Sequence, residues 1–195
     1  WSSDVCSSDL LRRELERMRG EVEQAGLRVS MVTADSDVSL NNEHGPDSLR
    51  HIGPSLDVAE ALGWDLIRVC LKTEADIEQA RRAADEAAAR GIRLAHQCHT
   101  TTLFETVDRS LEVLDQIGRT NFGLIYEPAN LMLCGESYGL ETLRRFRDEA
   151  GAPQPFRYAL DLVGVDEDGR RMEAELDVDV AKPPAPVGEI GRAHV

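Results

Sequence analysis

The chain contains 195 residues, of which 42% are hydrophobic, 5% aromatic and 30% charged, with a formal net charge of −14. This length suits one domain with a sizeable core or a part of a larger domain. The acidity and the lack of a Lys/Arg-rich run argue against nucleic-acid binding, and no apolar run reaches the ~18 residues of a membrane span.

Both ends of the chain differ in character from its interior. Residues 1–10 have no hydrophobic period and no signal-peptide features, and they resemble a translated sequencing adaptor. A coding sequence for Asp4–Leu10, read on the opposite strand, encodes Ile190–Val195. We therefore expect 1–10 and 189–195 to be non-native adaptor-like segments, and the native part to belong to a longer protein.

Amphipathic stretches and apolar runs alternate through the interior. The pattern predicts helices over 11–25, 54–62, 73–90, 102–117 and 140–150. It predicts strands over 27–34, 64–71, 92–99, 122–128 and 156–164. Thr102 and Glu105 have the spacing of a capping box at the start of one helix, and the acid-rich, then proline-rich segment 165–188 is predicted to be loop.

This alternation is typical of parallel βαβ units and of the α/β class. No Gly-rich nucleotide-binding motif follows a strand, which argues against an open dinucleotide-binding sheet. A (β/α)8 TIM barrel with outer helices typically has about 250 residues. The sequence therefore predicts a partial TIM barrel over 11–164, with about five of the eight strands.

The candidate functional residues lie at two predicted strand ends, where βα barrels carry their chemistry. The two-residue period of strands places Gln97, His99 and Glu127 on one face, with Asn130 just beyond. This set can hold a divalent metal or the hydroxyls of a polyol, and the same residues can equally cap loops or pair with each other. His44 is predicted to be a surface residue, with substrate contact as the alternative.

The cysteines show neither zinc-site spacing nor a disulfide framework. Reduced thiols are typical of the cytoplasm, which is the expected location.

The segment from Gly91 to Gly135 resembles the centre of the xylose isomerase-like TIM-barrel superfamily. Within it, the segment is similar to bacterial sugar phosphate isomerase/epimerase proteins, whose pattern is Glu-Asn-His, then TLxET, then Asp-Pro-x-His. Gln97–His99, Thr102–Thr106 and Glu127–Asn130 occupy these places. The resemblance implies that the chain covers about strands three to seven of the barrel.

The resemblance also implies a cofactor and a set of roles. The family holds a divalent cation (Mn, Mg, Zn or Co) and moves a proton between adjacent carbons through an enediolate. By position, Glu127 is the implied catalytic residue, and Glu127, Gln97 and His99 are the implied metal ligands. Gln97, His99 and Asn130 are then candidate substrate contacts, and His44 is a further candidate from its place in the loop after the first predicted strand. Gln97 stands where the family has Glu, and an amide cannot act as a base.

The leading functional hypothesis is therefore a metal-assisted isomerase or epimerase acting on a small sugar or polyol. The alternatives are a dehydratase of an inositol-type keto-polyol and a non-catalytic sugar-binding relative. The expected partner is the sugar or polyol, not nucleic acid or a membrane, and a homo-oligomer of the full-length protein stays open. Without the remaining strands, the chain alone is expected to be inactive.

Overall fold

The computed structural model describes residues 3–27, 29–34, 44–149, 157–165 and 171–179. The chain divides into two compact units, Trp1–Gly151 and Ala152–Val195, each of which is described by itself. Within the described ranges, every helix is too short or too polar to cross a membrane.

The first unit alternates helices with strands. Its helices are α1 (Ser3–Gln24), α2 (Asp47–Arg50), α3 (Gly53–Leu62), α4 (Ala75–Ala88), α5 (Val107–Ile117), α6 (Pro128–Leu133) and α7 (Leu140–Glu149). Its strands are β1 (Val32–Thr33), β2 (Leu66–Val69), β3 (Arg93–Gln97) and β4 (Phe122–Ile125). Helix α1 starts earlier than predicted, α6 was not predicted, and the strand predicted over 27–34 is confined to two residues.

Strands β1 to β4 form one parallel sheet in chain order. Ile67 lies beside Val32 on one side and Leu94 on the other, and Leu94 lies beside Phe122. Parallel neighbours require a crossover connection, which here contains one or more helices. The predicted α/β class with parallel βαβ units is confirmed.

The two faces of this sheet have different surroundings because successive side chains of a strand point to opposite sides. Ile67, Val69, Leu94 and Leu124 are buried in the hydrophobic core together with residues of α4 and α5. We call this face the outer face and the opposite one the inner face. The core therefore lies between the sheet and its helices.

The start of α5 differs from the prediction. Thr106, in an extended conformation, accepts a hydrogen bond from the Arg109 N–H through Oγ1 at 3.3 Å and caps the helix. The prediction of a capping box formed by Thr102 and Glu105 is therefore wrong. Thr102 Oγ1 accepts from the Phe104 N–H at 3.1 Å, and Glu105 Oε1 accepts from the Thr101 N–H at 3.2 Å. Both side chains stabilise the turn that precedes the helix, because each accepts a hydrogen bond from a nearby backbone N–H.

The second unit contains a two-stranded antiparallel sheet of β5 (Arg157–Val165) and β6 (Arg171–Asp179). The register pairs Arg157 with Asp179 and Val165 with Arg171. The predicted strand over 156–164 therefore exists, but in the described structure its partner is antiparallel. The loop predicted over 165–188 is wrong for the part that forms β6, and its other predicted residues from 166 to 170 and from 180 lie outside the described ranges.

Candidate active site at the ends of strands β3 and β4

The carboxyl ends of β3 and β4 bring Gln97 and Glu127 together. Ala95 lies beside Gly123 and Gln97 beside Ile125, so the inner-face residues of the two strands run in register. Gln97 Nε2 donates a hydrogen bond to Glu127 Oε2 at 3.2 Å. The predicted proximity of these two side chains is therefore observed, while their catalytic and ligand-binding roles stay predictions.

Glu127 also begins helix α6. It is the N-cap residue in an extended conformation, and its Oε1 accepts from the Ala129 N–H at 3.3 Å. Pro128 follows at the first helical position, where a missing N–H costs nothing. Each oxygen of the Glu127 carboxylate thus has one donor, and the two donors fix the plane of the group.

Asn130 joins this helix to the end of β3. Its Nδ2 donates to the Cys98 carbonyl at 2.9 Å. Cys98 is buried on the outer face, and burial raises the pKa of its thiol to about 11. The described contact of Asn130 is therefore structural, and its predicted role as a substrate contact stays a prediction.

His99 and His44 lie in contrasting positions. The His99 ring nitrogen Nδ1 lies 2.9 Å from the Thr100 carbonyl, and in this contact it acts as the donor. His44 is exposed before α2, with Nδ1 3.6 Å from Asp47 Oδ2. The predicted substrate contacts of both histidines stay predictions.

Arg68 belongs to the inner face, which the sequence pattern did not indicate. It lies beside Ala95 in the sheet register, and its Nε atom is buried without a hydrogen-bond partner among the described residues. Burial lowers the pKa of Arg68, whereas Cys70 and, to a smaller extent, Glu127 oppose this shift. In the sequence, the indication of a polar site residue was a single Arg in the otherwise apolar end of the predicted strand 64–71.

The described residues do not fit a divalent cation as they stand. Among them, no three His, Cys, Asp or Glu side chains converge as metal ligands. Gln97 turns its amide N–H toward Glu127, so this pair does not offer two oxygens to a cation, and the positive charge of Arg68 lies near the same carboxylate. The predicted ligand set Glu127, Gln97 and His99 stays a prediction.

The fold and the position of this site define a βα-barrel protein with its polar residues at the carboxyl ends of parallel strands. Residues 3–166 match the xylose isomerase-like TIM barrel family, and the chain belongs to this family. This confirms the superfamily expected from the sequence. A comparison with curated protein sequences found no match.

Solved structures show the same fold at low sequence identity. A probable 3-DHS dehydratase involved in petrobactin synthesis, from Bacillus anthracis, is 15% identical, with a TM-score of 0.57 over 70% of this chain and 53% of that one. A xylose isomerase-like TIM barrel protein from Mycobacterium smegmatis, in complex with magnesium, is 17% identical, with a TM-score of 0.57 over 84% and 62%.

A D-allulose 3-epimerase from Methylomonas sp. is 18% identical, with a TM-score of 0.53 over 71% of this chain and 55% of that one. The chain thus spans between half and two thirds of the length of these relatives. At these identities the likeness concerns the fold. Structures of this fold include an epimerase, a dehydratase and a magnesium complex.

Proposed function

We propose that the inner face of β3 and β4 binds a small sugar or polyol and that Glu127 transfers a proton on this ligand. Such a transfer is the reaction of a sugar isomerase or epimerase. The hydrogen bond between Gln97 Nε2 and Glu127 Oε2 carries the proposal, because it fixes a carboxylate at the ends of two adjacent parallel strands. Family membership and the likeness to D-allulose 3-epimerase support it.

Glu127 has the properties that the proton transfer requires. Gln97 and Ala129 each donate to one of its oxygens. Each carboxylate oxygen has two lone pairs, so Glu127 can accept a proton while both hydrogen bonds persist. A proton removed from the hydroxyl-bearing carbon beside a ligand carbonyl leaves an enediolate. Return of this proton to the former carbonyl carbon, together with transfer of the hydroxyl proton from one ligand oxygen to the other, completes an isomerisation.

The number of acid–base groups in the site distinguishes an isomerisation from an epimerisation. One carboxylate on one side of the ligand can carry a proton between adjacent carbons. Inversion of a carbon centre requires a second group on the opposite side, and Gln97 cannot supply it because an amide is not a base. At the described ends of β3 and β4, Glu127 is the carboxylate available, so this part of the site favours isomerisation.

The proposed proton transfer uses Glu127 and Gln97 without a metal step. The magnesium complex of the Mycobacterium smegmatis relative supports a divalent cation as a cofactor of the family. Since the described residues do not fit the cation as they stand, Glu127 is assigned here only the proton transfer.

Hydrogen exchange with solvent tests this proposal. The full-length protein that contains this chain is incubated with D-allulose in deuterium oxide, and NMR measures deuterium at the carbon beside the carbonyl. We expect Glu127→Gln to lower the exchange rate by about 100-fold or more, because general-base catalysis contributes at least that much.

Glu112→Gln is the matched control. Glu112 also accepts an amide N–H from a glutamine, Gln116, at 3.2 Å, but on the exposed face of α5. We expect this variant to keep the wild-type exchange rate. Equal rates in wild type and Glu127→Gln, or no exchange in wild type, would refute the proposed proton transfer.

A non-catalytic sugar-binding protein is the second candidate, and the amide of Gln97 favours it. This residue stands where the family pattern has Glu, and it uses its N–H to hold Glu127. If the protein only binds sugar, Gln97→Glu introduces a second carboxylate and produces exchange that wild type lacks. If wild type already exchanges and Gln97→Glu is slower, the enzyme interpretation is supported.

A further inference from the structure

We propose that the exposed apolar surface at the end of helix α6 is the contact surface for a second copy of this protein, so that the protein forms a two-fold symmetric dimer. The inference goes beyond the proposed function and does not depend on it. It starts from four large side chains that lie within nine residues of one another, which we call the α6 patch: Met132, Leu133, Tyr138 and Leu140.

The α6 patch exposes an unusual amount of apolar surface. Its four side chains are 52%, 70%, 50% and 39% exposed, in chain order. Together they expose as much as about two complete side chains, or roughly 400 Å² if a large side chain offers about 200 Å². Apolar patches of this size are often functional. The other large apolar side chains that are exposed in the described ranges lie on α1 or just after it: Leu11, Met18 and Leu27.

A closed turn carries the α6 patch. The Gly135 N–H donates to the Met132 carbonyl at 3.0 Å, and the Glu136 N–H donates to the Leu131 carbonyl at 2.9 Å. Glu136 Oε2 accepts from the Val107 N–H at 3.0 Å, which ties the turn to the start of α5. The turn is therefore held in shape before a partner binds, and this lowers the entropic cost of binding.

The core beneath the α6 patch is already filled. Leu131, on the same helix as Met132 and Leu133, is fully buried, and Phe146 of α7 is buried as well. The Tyr126 hydroxyl donates to the backbone carbonyl of Tyr138, so this contact leaves the ring of Tyr138 at the surface. The α6 patch is thus a surface feature and not an unfilled part of the core.

The charge around the α6 patch indicates a second copy as the partner. Residues 128–149 contain four acids and three bases, a formal charge of −1, whereas the whole chain carries −14. Each of the three bases pairs with an acid, namely Arg144 with Glu141, Arg145 with Asp108 and Glu149, and Arg147 with Asp148. Two acidic copies repel each other over most of their surface, and this nearly neutral segment is where the repulsion is weakest. A basic partner would instead be attracted to the acidic remainder of the chain.

The area of the α6 patch is also appropriate for a dimer. A standard interface buries about 800 Å² per partner, of which somewhat more than half is apolar. The α6 patch, at roughly 400 Å², supplies most of that apolar part. In a two-fold dimer the same surface serves both copies, and the paired charges of α7 would form the polar rim that interfaces have around an apolar centre.

Sedimentation velocity of the full-length protein that contains this chain, over a series of concentrations, tests the inference. We expect wild type to dimerise. Leu133→Asp should raise the dissociation constant of the dimer about 30-fold or more, as loss of a hot-spot residue does. Tyr138→Ala should also raise it, without adding a charge. Leu27→Asp is the matched control, because Leu27 is 64% exposed but lies outside the α6 patch, and this variant should dimerise like wild type.

Salt dependence and thermal unfolding complete the test. Added salt should tighten the wild-type dimer, because it screens the repulsion between two acidic copies. The monomers of Leu133→Asp and Leu27→Asp should unfold at the same temperature, since both changes are at the surface.

Three results would overturn the inference. The first is a wild type that stays monomeric at every concentration. The second is a dimer that Leu133→Asp leaves intact, because its interface then lies elsewhere. The third is a Leu133→Asp monomer that unfolds at a lower temperature than the Leu27→Asp monomer, because the rest of the same protein then covers the α6 patch. The proposed function is tested by deuterium exchange, so the two proposals fail by different measurements.

Discussion

Two neighbouring residues of strand β3, His96 and Gln97, lie in contrasting surroundings. His96 is 2% exposed on the outer face, and its ring stacks on Phe104 with centroids 4.2 Å apart. Gln97 is half-buried on the inner face and donates to Glu127. One step along the strand separates a core residue from a site residue, because strand side chains alternate between faces.

This difference shows that residue type alone does not identify a site. Histidine is the side chain most often associated with catalysis near neutral pH, yet burial lowers the pKa of His96 to about 3. It is therefore neutral at physiological pH and contributes to packing. Gln97 does not titrate, but it lies beside the carboxylate to which we assign the chemistry.

The largest expected loss of stability comes from removing Phe104, the aromatic partner of His96. Phe104→Ala should lower the free energy of unfolding by about 3–5 kcal/mol, because Phe104 is fully buried and leaves a cavity. Chemical denaturation measures this change. Leu27→Ala, at a position that is 64% exposed, is the control and should change stability by less than about 0.5 kcal/mol. Similar losses in both variants would mean that Phe104 is not part of the core.

The next largest effect is the pH dependence of folding stability that His96 causes. Between pH 6.5 and pH 3, His96 is neutral when folded but takes up a proton when unfolded. The unfolded state then binds more protons, so stability is fully present above pH 6.5 and falls as pH decreases through this window. The contribution of His96 has a limiting slope of about 1.4 kcal/mol per pH unit.

His96→Phe should reduce this slope, because phenylalanine keeps an aromatic ring against Phe104 but does not titrate. Denaturation curves at several pH values measure it. His51→Phe, at an exposed position, is the control for the added phenylalanine. If the slope is the same in wild type and His96→Phe, the outer face is hydrated and the proposed contrast between the faces is incorrect.

The smallest stability effect is expected at the neighbouring position. Gln97→Ala should lower the free energy of unfolding by about 1 kcal/mol or less, because it removes one hydrogen bond of a half-buried side chain. The same variant should weaken sugar binding by more than it weakens the fold. A stability loss as large as that of Phe104→Ala would place Gln97 among the core residues.

The sequence was sufficient to predict the βα alternation and the assignment of strand faces. Both depend on local patterns, namely apolar runs for the parallel strands and the two-residue period at Gln97 and Glu127. Long, strongly patterned segments such as the one that forms α4 were predicted well. The carboxyl ends of the strands were predicted too far along the chain. Leu71 and Cys98 are apolar and buried, so the apolar pattern continues beyond the last paired residues.

Features that depend on distant partners were missed. Strand β5 has an apolar pattern, but its antiparallel pairing with β6 depends on a segment that is too acidic to be recognised as a strand. Asp168-Gly169, between the two strands, is a hairpin signal that was overlooked. Arg68 was missed because its importance arises from its neighbours in the sheet, Ala95 on one side and Thr33 on the other.

The most direct test of the central claim is an NMR titration of the full chain with a ketohexose, which follows the side-chain amides of Gln97 and Gln116. The two glutamines each donate to a glutamate at 3.2 Å, but Gln116 does so on the surface of α5. We predict that the Gln97 amide signals shift with ligand concentration until saturation, while those of Gln116 stay in place. If the Gln97 signals do not move at a ligand concentration that saturates the protein, the inner face of β3 and β4 is not the sugar-binding site.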